Sequence, residues 1–240
     1  MINTAVILAA GLGTRFGNRT KSIPKGFIPA GGKPMVIRSI ETLLSCGITR
    51  IVIGTGFGKE YYEALSDKYP CIECEFSPRY ADTNSMYTLY NCRSIIGNDD
   101  FLLLESDIIY NRTAIVELLE DEHPDIMLIT PVTKFQDQYY VAHDTEGQLN
   151  DCSTDKSAID VQGELVGIHK LSSGFYKCMC RDYEAKVEDL PKLGYEYELL
   201  HMSQNHIPIY VLNSRKAKWY EIDDESDLIF AEKNIVPFLD

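Results

Sequence analysis

Residues 6–15 read Val6-Ile7-Leu8-Ala9-Ala10-Gly11-Leu12-Gly13-Thr14-Arg15, an apolar run that ends in a glycine-rich turn. The run begins at Thr4 and is typical of a strand that is buried on both faces, as in a parallel sheet. The glycines allow backbone amides to face outward, and two cations follow at Arg15 and Lys25. Outward amides beside cations are typical of phosphate sites, so this stretch predicts a polyphosphate-binding turn after the first strand.

Apolar runs and helix-like spacings alternate along the rest of the chain, which predicts an α/β fold with a three-layer, mostly parallel, Rossmann-like sheet. Further strands are predicted at 51–54, 72–76, 101–104, 126–132 and 207–212. Helices are predicted at 35–44, 60–68, 84–93, 114–120, 172–188, 195–204 and 224–234. Between residues 133 and 170 the pattern resembles a hairpin plus one more strand, which predicts a small antiparallel insertion serving as a wall or lid. No linker or repeat interrupts the pattern, so a single domain over 1–240 is expected.

The composition excludes several classes of protein. A net charge of −13 argues against nucleic acid as a partner. Against this acidic background, residues 1–50 hold seven Lys or Arg and one acid, which suits a small anionic ligand. No apolar run is long enough to span a membrane, and the N-terminal residues do not resemble a signal peptide, so we expect a cytoplasmic protein without a membrane partner. The seven cysteines are predicted to be reduced, and the five histidines lie in no motif.

The glycine turn does not match the two familiar nucleotide motifs. The dinucleotide fingerprint needs a third glycine where this chain has Phe16, and no acid lies at the end of the next strand. A Walker motif needs Gly-Lys-Ser or Gly-Lys-Thr, which is absent. The pair Gly11-x-Gly13 is a weak signal alone, so identification depends on what accompanies it.

The combination of residues 8–15 with Pro24-Lys25 and Gly32-Lys33-Pro34 resembles the signature of nucleotidyltransferases that join an NTP to a phosphorylated small molecule and release pyrophosphate. The resemblance implies a fold of the nucleotidyltransferase type. It implies that Arg15 holds the β- and γ-phosphates and that Lys25 neutralises the α-phosphate. The turn and strand residues implied to bind the nucleotide are Leu8, Ala9, Ala10, Gly11 and Gly13, together with Ser106 after a later strand.

Asp107 follows the apolar run 101–104, at the edge where open α/β sheets bind ligands, and is either a metal ligand or a helix cap. The segment Trp219-Tyr220-Glu221-Ile222-Asp223 resembles the C-terminal segment of the same family. There an aspartate joins the strand-end aspartate on Mg²⁺, so the resemblance implies that Asp107 and Asp223 bind Mg²⁺ and form the catalytic set with Arg15 and Lys25. A glycosyltransferase would carry Asp-x-Asp, and here the position two before Asp107 is Glu105.

Residues 79–87 resemble the Asn-Ser-x-Tyr segment of the branch that includes the CTP:phosphocholine cytidylyltransferases. That likeness implies that Thr83, Asn84 and Ser85 contact cytosine. The same Asn84 and Ser85 are also good caps for the helix that follows, and one role does not preclude the other.

The residues that bind the acceptor determine which phosphate or phosphonate compound is the substrate. A quaternary ammonium favours aromatic cages, whereas a primary ammonium has three donors and favours carboxylates, so Tyr195-Glu196-Tyr197-Glu198 favours a primary amine. The chain as a whole resembles the CTP:2-aminoethylphosphonate cytidylyltransferases, which implies CTP and 2-aminoethylphosphonate as substrates and a transaminase as a possible fusion or associate. Phosphocholine and phosphoethanolamine stay open, and a sugar phosphate is a second alternative. The implied acceptor contacts are Glu196, Glu198, Lys134, Tyr139 and Ser153.

Overall fold

The computed structural model describes residues 2–17, 19–133 and 138–239. In that part of the chain the strands are β1 (Thr4–Ala9), β2 (Pro29–Ala30), β3 (Lys33–Pro34), β4 (Arg50–Thr55), β5 (Ile72–Phe76), β6 (Phe101–Glu105), β7 (Ile108–Tyr110), β8 (Ile126–Thr130), β9 (Tyr140–His143), β10 (Leu149–Ser153), β11 (Gly163–Leu171), β12 (Tyr210–Asn213) and β13 (Trp219–Glu221). The α-helices are α1 (Met35–Ser45), α2 (Lys59–Glu63), α3 (Ser85–Asn91), α4 (Arg93–Ile96), α5 (Arg112–Glu120), α6 (Ser173–Glu184), α7 (Tyr195–Asn205) and α8 (Glu225–Asn234).

Strand β1 lies in the interior of a nine-stranded sheet, and all six of its residues are buried. It pairs in parallel with β4 on one side and with β6 on the other, and β5 continues the parallel set beyond β4. Strand β11 then runs antiparallel between β6 and β8, and β12 pairs in parallel with β8. The predicted α/β fold with a central, mostly parallel sheet is confirmed.

Two cores cover the two faces of this sheet, because alternate residues of a strand point to opposite sides. Val6 and Leu8 pack with residues of α3, α6 and α7. Ala5 and Ile7 pack on the other face with residues of α1 and α5. The result is the three-layer arrangement predicted for a strand that is apolar at every position.

The described part of the 133–170 segment forms antiparallel strands. The hairpin is β9 paired with β10, and β11 runs antiparallel to its neighbours as a member of the central sheet, with all nine of its residues buried. Its register breaks between Leu165 and His169: residues 168–171 pair with β6, while residues 163 and 164 pair with β9. The last strand of the segment therefore joins it to the core, and its role as an acceptor-side wall or lid stays a prediction.

Helix bounds agree with the sequence pattern to within a few residues at most positions. The predicted helix 60–68 is α2 followed by a 3₁₀ turn at Ala64–Asp67, and the predicted helix 84–93 is α3 followed by α4. Among the residues that the structure describes, no helix has both the length and the apolar character required to cross a bilayer.

Gly167 marks the register break in β11 and has a φ of 77°. A Cβ at this position would lie 3.1 Å from the Glu105 carboxyl group. Gly147, in the β9–β10 hairpin, has a φ of 83°, and a Cβ there would meet no atom of the described residues within 4 Å. The two glycines therefore share a backbone constraint and differ in packing.

We expect Gly147→Ala to lower the free energy of unfolding by about 1–2 kcal/mol, the cost of a left-handed backbone for an L-residue. Gly167→Ala should lose about 1–3 kcal/mol more, because its methyl group overpacks the space beside Glu105. Urea unfolding followed by circular dichroism measures both values. Equal losses in the two variants would contradict a packing role for Gly167.

Candidate active site

The glycine turn after β1 brings Lys25 against the end of the sheet. Gly13 has a φ of 62°, and a Cβ on it would lie 3.0 Å from the Cβ of Lys25. The Thr20 hydroxyl donates to the Gly13 carbonyl at 2.8 Å and closes the turn. Because the Ser106 amide donates to the Leu8 carbonyl at 3.2 Å, the end of β6 lies beside this turn.

A two-stranded ribbon of β7 and β13 brings the C-terminal segment to the same place. These strands are antiparallel, with Glu221 opposite Ile108, and the Ile222 amide donates to the Asp107 carbonyl at 3.0 Å. Asp223, the next residue, therefore lies beside Asp107 although the two are far apart in the sequence. The sequence analysis predicted neither strand of this ribbon, because each is only three residues long.

The Lys25 ammonium lies between the two aspartates. Its Nζ atom is 2.5 Å from Asp107 Oδ2 and 2.5 Å from Asp223 Oδ1. Arg15 adds a second cation, with Nη2 2.6 Å from the same Asp223 oxygen. Burial disfavours the charged form of Lys25, but the attraction of the two carboxylates outweighs it and raises the lysine pKa above its ordinary value.

A group of acids extends from this cluster along the cavity wall. Carboxylate oxygens of Glu105, Asp107 and Glu221 lie within 4.8 Å of one another. The Gln138 amide donates to Glu221 at 3.1 Å. Burial, followed by the negative charges of Asp107, Glu221 and Glu196, raises the pKa of Glu105 well above its ordinary range.

A buried hydrogen-bond chain orients Glu105. The Tyr195 hydroxyl donates to Glu105 Oε1 at 2.6 Å and lies 3.3 Å from Nε2 of His169. Burial lowers the pKa of His169 to about 3, so its ring stays neutral. Tyr195 is the first residue of α7, and this helix therefore determines the position of the acidic wall.

Glu196 follows Tyr195 and lines the same cavity. It is buried, and this burial raises its pKa to about 7. Tyr139 also lines the cavity, with its ring centroid 5.5 Å from that of Tyr197. This end of the cavity thus combines carboxylates with aromatic rings.

Asn84 and Ser85 lie at the start of α3 and face the cavity. Asn84 caps this helix, because its side-chain oxygen accepts from the Ser85 amide at 2.8 Å. The Ser85 hydroxyl accepts from the Tyr195 amide at 3.0 Å and so joins α3 to α7. The capping role is observed, and the contact with a base stays a prediction.

The Lys25 cluster and the acidic wall line one cavity of about 780 Å³. Most residues predicted from the sequence line it, namely Leu8, Ala9, Ala10, Gly11, Gly13, Arg15, Lys25, Thr83, Asn84, Ser85, Ser106, Asp107, Tyr139, Glu196 and Asp223. Lys134 lies outside the described residues. The structure therefore brings the predicted nucleotide and catalytic residues together, and their roles stay predictions.

Two predicted acceptor contacts do not line this cavity. Glu198 is 1% exposed and pairs with Lys186, at 2.9 Å between Oε2 and Nζ. Residues two apart on a helix lie about 200° apart around its axis, so Glu196 and Glu198 cannot both face one ligand. The Ser153 hydroxyl accepts from the Asp155 amide at 3.0 Å, and the neighbouring Thr154 lines the cavity instead.

The sequence analysis missed Glu105 and Glu221. Each lies two residues before a predicted aspartate, Asp107 or Asp223, on a strand end where alternate residues share a face. This repeated acid-x-acid spacing is the signal that would have identified them.

The acidic group fits a hard divalent cation. Its donors are all carboxylate oxygens, which Mg²⁺ prefers, and Asp107 and Asp223 already converge on one cation, the Lys25 ammonium. Asp107 and Asp223 therefore fit the metal role predicted for them, with Glu105 and Glu221 beside Asp107.

The chain is similar to known proteins in sequence and in fold. The profile of the MobA-like NTP transferase domain matches residues 5–171. Choline-phosphate cytidylyltransferase of Streptococcus pneumoniae is 39% identical over 94 residues, which cover 39% of this chain and 41% of that protein. The 2-aminoethylphosphonate cytidylyltransferase of Lancefieldella rimae is 27% identical over 179 residues, which cover 75% of this chain and 65% of that protein.

Among solved structures, the CTP:phosphocholine cytidylyltransferase of Streptococcus pneumoniae superposes with a TM-score of 0.78 at 23% identity, over 97% of this chain and 99% of that one. This likeness supports the fold. Since the profile match extends over more than half of the residues, the chain belongs to the MobA-like NTP transferase domain family, a family of nucleotidyltransferase enzymes.

Proposed function

We propose that this protein is a cytidylyltransferase that transfers CMP from CTP to 2-aminoethylphosphonate, giving CMP-2-aminoethylphosphonate and pyrophosphate. The observation that carries the proposal is the wall of carboxylates beside the Lys25 cluster, formed by buried Glu196 and by half-buried Glu105 and Glu221. Two of the similar proteins named above are cytidylyltransferases, one for choline phosphate and one for 2-aminoethylphosphonate, which supports CTP as the nucleotide. We also propose that the protein is located in the cytoplasm.

The charge of the cavity favours cationic groups in addition to the nucleotide. Among the described residues that line it are five carboxylates and two cations, Arg15 and Lys25. Asp107 and Asp223 account for a metal ion. The other three carboxylates, Glu105, Glu196 and Glu221, add negative charge that favours a positively charged part of the acceptor.

A primary ammonium suits this wall better than a quaternary one. It can donate three hydrogen bonds to carboxylates, whereas a trimethylammonium group has no donor and would leave these oxygens desolvated. Phosphoethanolamine shares the primary ammonium and is one alternative. Phosphocholine is another, because Tyr80, Tyr139 and Trp219 also line the cavity and aromatic faces attract quaternary ammonium groups. A sugar phosphate fits the acidic wall least well.

The reaction proposed is an in-line displacement at the α-phosphorus of CTP. A phosphonate oxygen of the acceptor forms the new P–O bond, the bond to the bridging oxygen breaks, and pyrophosphate leaves with that electron pair. Arg15 holds the β- and γ-phosphates, and Lys25 offsets the charge that accumulates on the α-phosphate. The turn amides of residues 9–13 hold the nucleotide. Bound Mg²⁺, held by Asp107 and Asp223, supplies further charge neutralisation.

The first test measures pyrophosphate release with CTP, UTP or ATP against 2-aminoethylphosphonate, phosphoethanolamine and phosphocholine. We expect kcat/KM for CTP with 2-aminoethylphosphonate to exceed that for phosphocholine by at least about tenfold, because the carboxylates pair only with the primary ammonium. A preference for phosphocholine would mean that the aromatic residues form a cage. Activity only with UTP or ATP and a sugar phosphate would refute the proposal.

Lys25→Ala should lower kcat by roughly 100- to 1,000-fold, because it removes a preorganised cation from the transferring phosphate. Lys59→Ala is the matched control, since Lys59 is exposed and pairs with Glu63 outside the cavity. Turnover is measured at saturating CTP and acceptor, and circular dichroism verifies the fold. Near-normal turnover in Lys25→Ala would remove this lysine from the mechanism.

The acceptor KM should depend on the ionisation of Glu196. Its pKa of about 7 means that the ionised form, which attracts an ammonium, increases as the pH rises from 6 to 8. We therefore expect the KM for 2-aminoethylphosphonate to fall over this range, and expect Glu196→Gln to raise KM and flatten its pH profile.

Glu198→Gln is the control for this experiment. Burial also raises the pKa of Glu198 to about 7, but this residue does not line the cavity. The variant should leave the pH profile of KM unchanged. Equal effects of the two substitutions would show that Glu196 does not contact the acceptor.

A further inference from the structure

A second group of metal-ligating side chains lies where α6 meets the C-terminal end of α7, away from the residues that line the cavity. It consists of Asp182 on α6, His201 on α7 and His206 just after α7. The Nε2 atoms of His201 and His206 lie 3.5 Å and 3.6 Å from the same oxygen, Oδ1 of Asp182. One oxygen and two imidazole nitrogens therefore face a common point.

These distances are those of a zinc coordination sphere. Zn²⁺ binds imidazole nitrogen at about 2.0–2.1 Å and carboxylate oxygen at about 2.0–2.2 Å in a tetrahedron, whose edges are then about 3.3–3.5 Å. Both oxygen-to-nitrogen separations are close to this edge length, and the three ligand atoms all lie within 4.8 Å of one another. Four residues separate the two histidines, which is within the spacing of zinc-binding histidine pairs.

Neighbouring groups orient the Asp182 carboxylate for binding a metal ion. Lys186 pairs with the other carboxylate oxygen, Oδ2, so Oδ1 faces the histidines. The carboxylate therefore presents one oxygen to both imidazole nitrogens while the lysine offsets part of its charge.

The surroundings also fix His201 and anchor the site. The Asn205 side-chain amide lies 3.3 Å from Nδ1 of His201 and donates to the His201 carbonyl at 2.9 Å, which holds the ring with Nε2 towards Asp182. On the inner side, the Lys186 ammonium joins Asp182 to Glu198, which is 1% exposed. The group is thus continuous with a buried ion pair and is not an isolated surface contact.

We propose that Asp182, His201 and His206 bind one Zn²⁺ ion, with a water molecule as the fourth ligand. The ion would join α6 to the end of α7. Because α7 begins with Tyr195 and Glu196, which shape the acidic wall of the cavity, the ion stabilises the helix that carries this wall. The site is separate from the carboxylates proposed for Mg²⁺, and its existence does not depend on the proposed reaction.

The test uses the full chain after removal of metals with EDTA, in competition titrations of Zn²⁺ against a chromophoric chelator at pH 7.5. We expect one site whose affinity falls at least about tenfold in His201→Ala, His206→Ala and Asp182→Asn. His123→Ala is the matched control, because His123 also pairs with an aspartate, Asp121, at 2.8 Å but belongs to no three-residue group of this kind among the described residues. It should bind Zn²⁺ as the unchanged protein does.

Two further readouts separate this site from other zinc ligands. Zn²⁺ at about 100 times its Kd should raise the Tm by roughly 5–10 °C, and the rise should disappear in His206→Ala, whose exposed side chain can be removed without loss of the fold. Co²⁺ substituted at the site should give the visible spectrum of a tetrahedral nitrogen and oxygen site. Unchanged Zn²⁺ affinity in all three variants, or a thiolate-to-cobalt charge-transfer band, would overturn the proposal in favour of the cavity carboxylates or the cysteines.

Discussion

The ion pairs of the Lys25 ammonium with Asp107 and Asp223 are the interaction on which the rest of the site depends. They join the loop after β1, the end of β6 and the residue that follows the β7–β13 ribbon. The lysine and Asp223 side chains are 11% and 6% exposed, so each relies on protein partners more than on water. Each also has a second partner, since Lys25 pairs with Asp107 and Asp223 pairs with Arg15. The shared contact with Asp223 therefore places Arg15 and Lys25 together at the cavity.

The sheet explains why these residues meet. The chain builds β1, β4 and β5 outward on one side and then returns to place β6 on the other side of β1. Loops that leave adjacent parallel strands in opposite directions leave a crevice at the carboxyl edge, where ligands of such sheets bind. In strand β11 the break around Gly167 separates the part paired with β6 from the part paired with β9. Gly167 lines the cavity beside Glu105 of the acidic wall.

The sequence predicted features formed by residues close together in the chain and missed features that depend on residues far apart. Buried strands have continuous apolar runs, and the glycine turn uses consecutive residues, so the positions of both could be predicted from short windows such as 4–15. The placement of β11 in the core depends on pairing with strands distant in the sequence, which no local pattern encodes. Glu196 and Glu198 read as a pair in the sequence, but the helix turns them to different surroundings, and only Glu196 of the two lines the cavity. The Asp182 cluster likewise arises only when α6 and α7 pack together.

If the proposed function holds, desolvation accounts for selectivity at the acidic wall. Glu196 is buried and Glu105 is half-buried, and both have raised pKa values, so without a cation beside them their ionised forms are disfavoured. An acceptor that brings a primary ammonium supplies donors that stabilise the ionised forms. A trimethylammonium of similar size supplies charge without donors, and a neutral sugar supplies donors without charge. Sites that leave buried polar groups unpaired reject such analogues far more strongly than apolar pockets reject a missing methylene. The proposed discrimination therefore depends on the carboxylate charge that an acceptor ammonium offsets, and it operates even though the aromatic residues of the cavity would attract any cation.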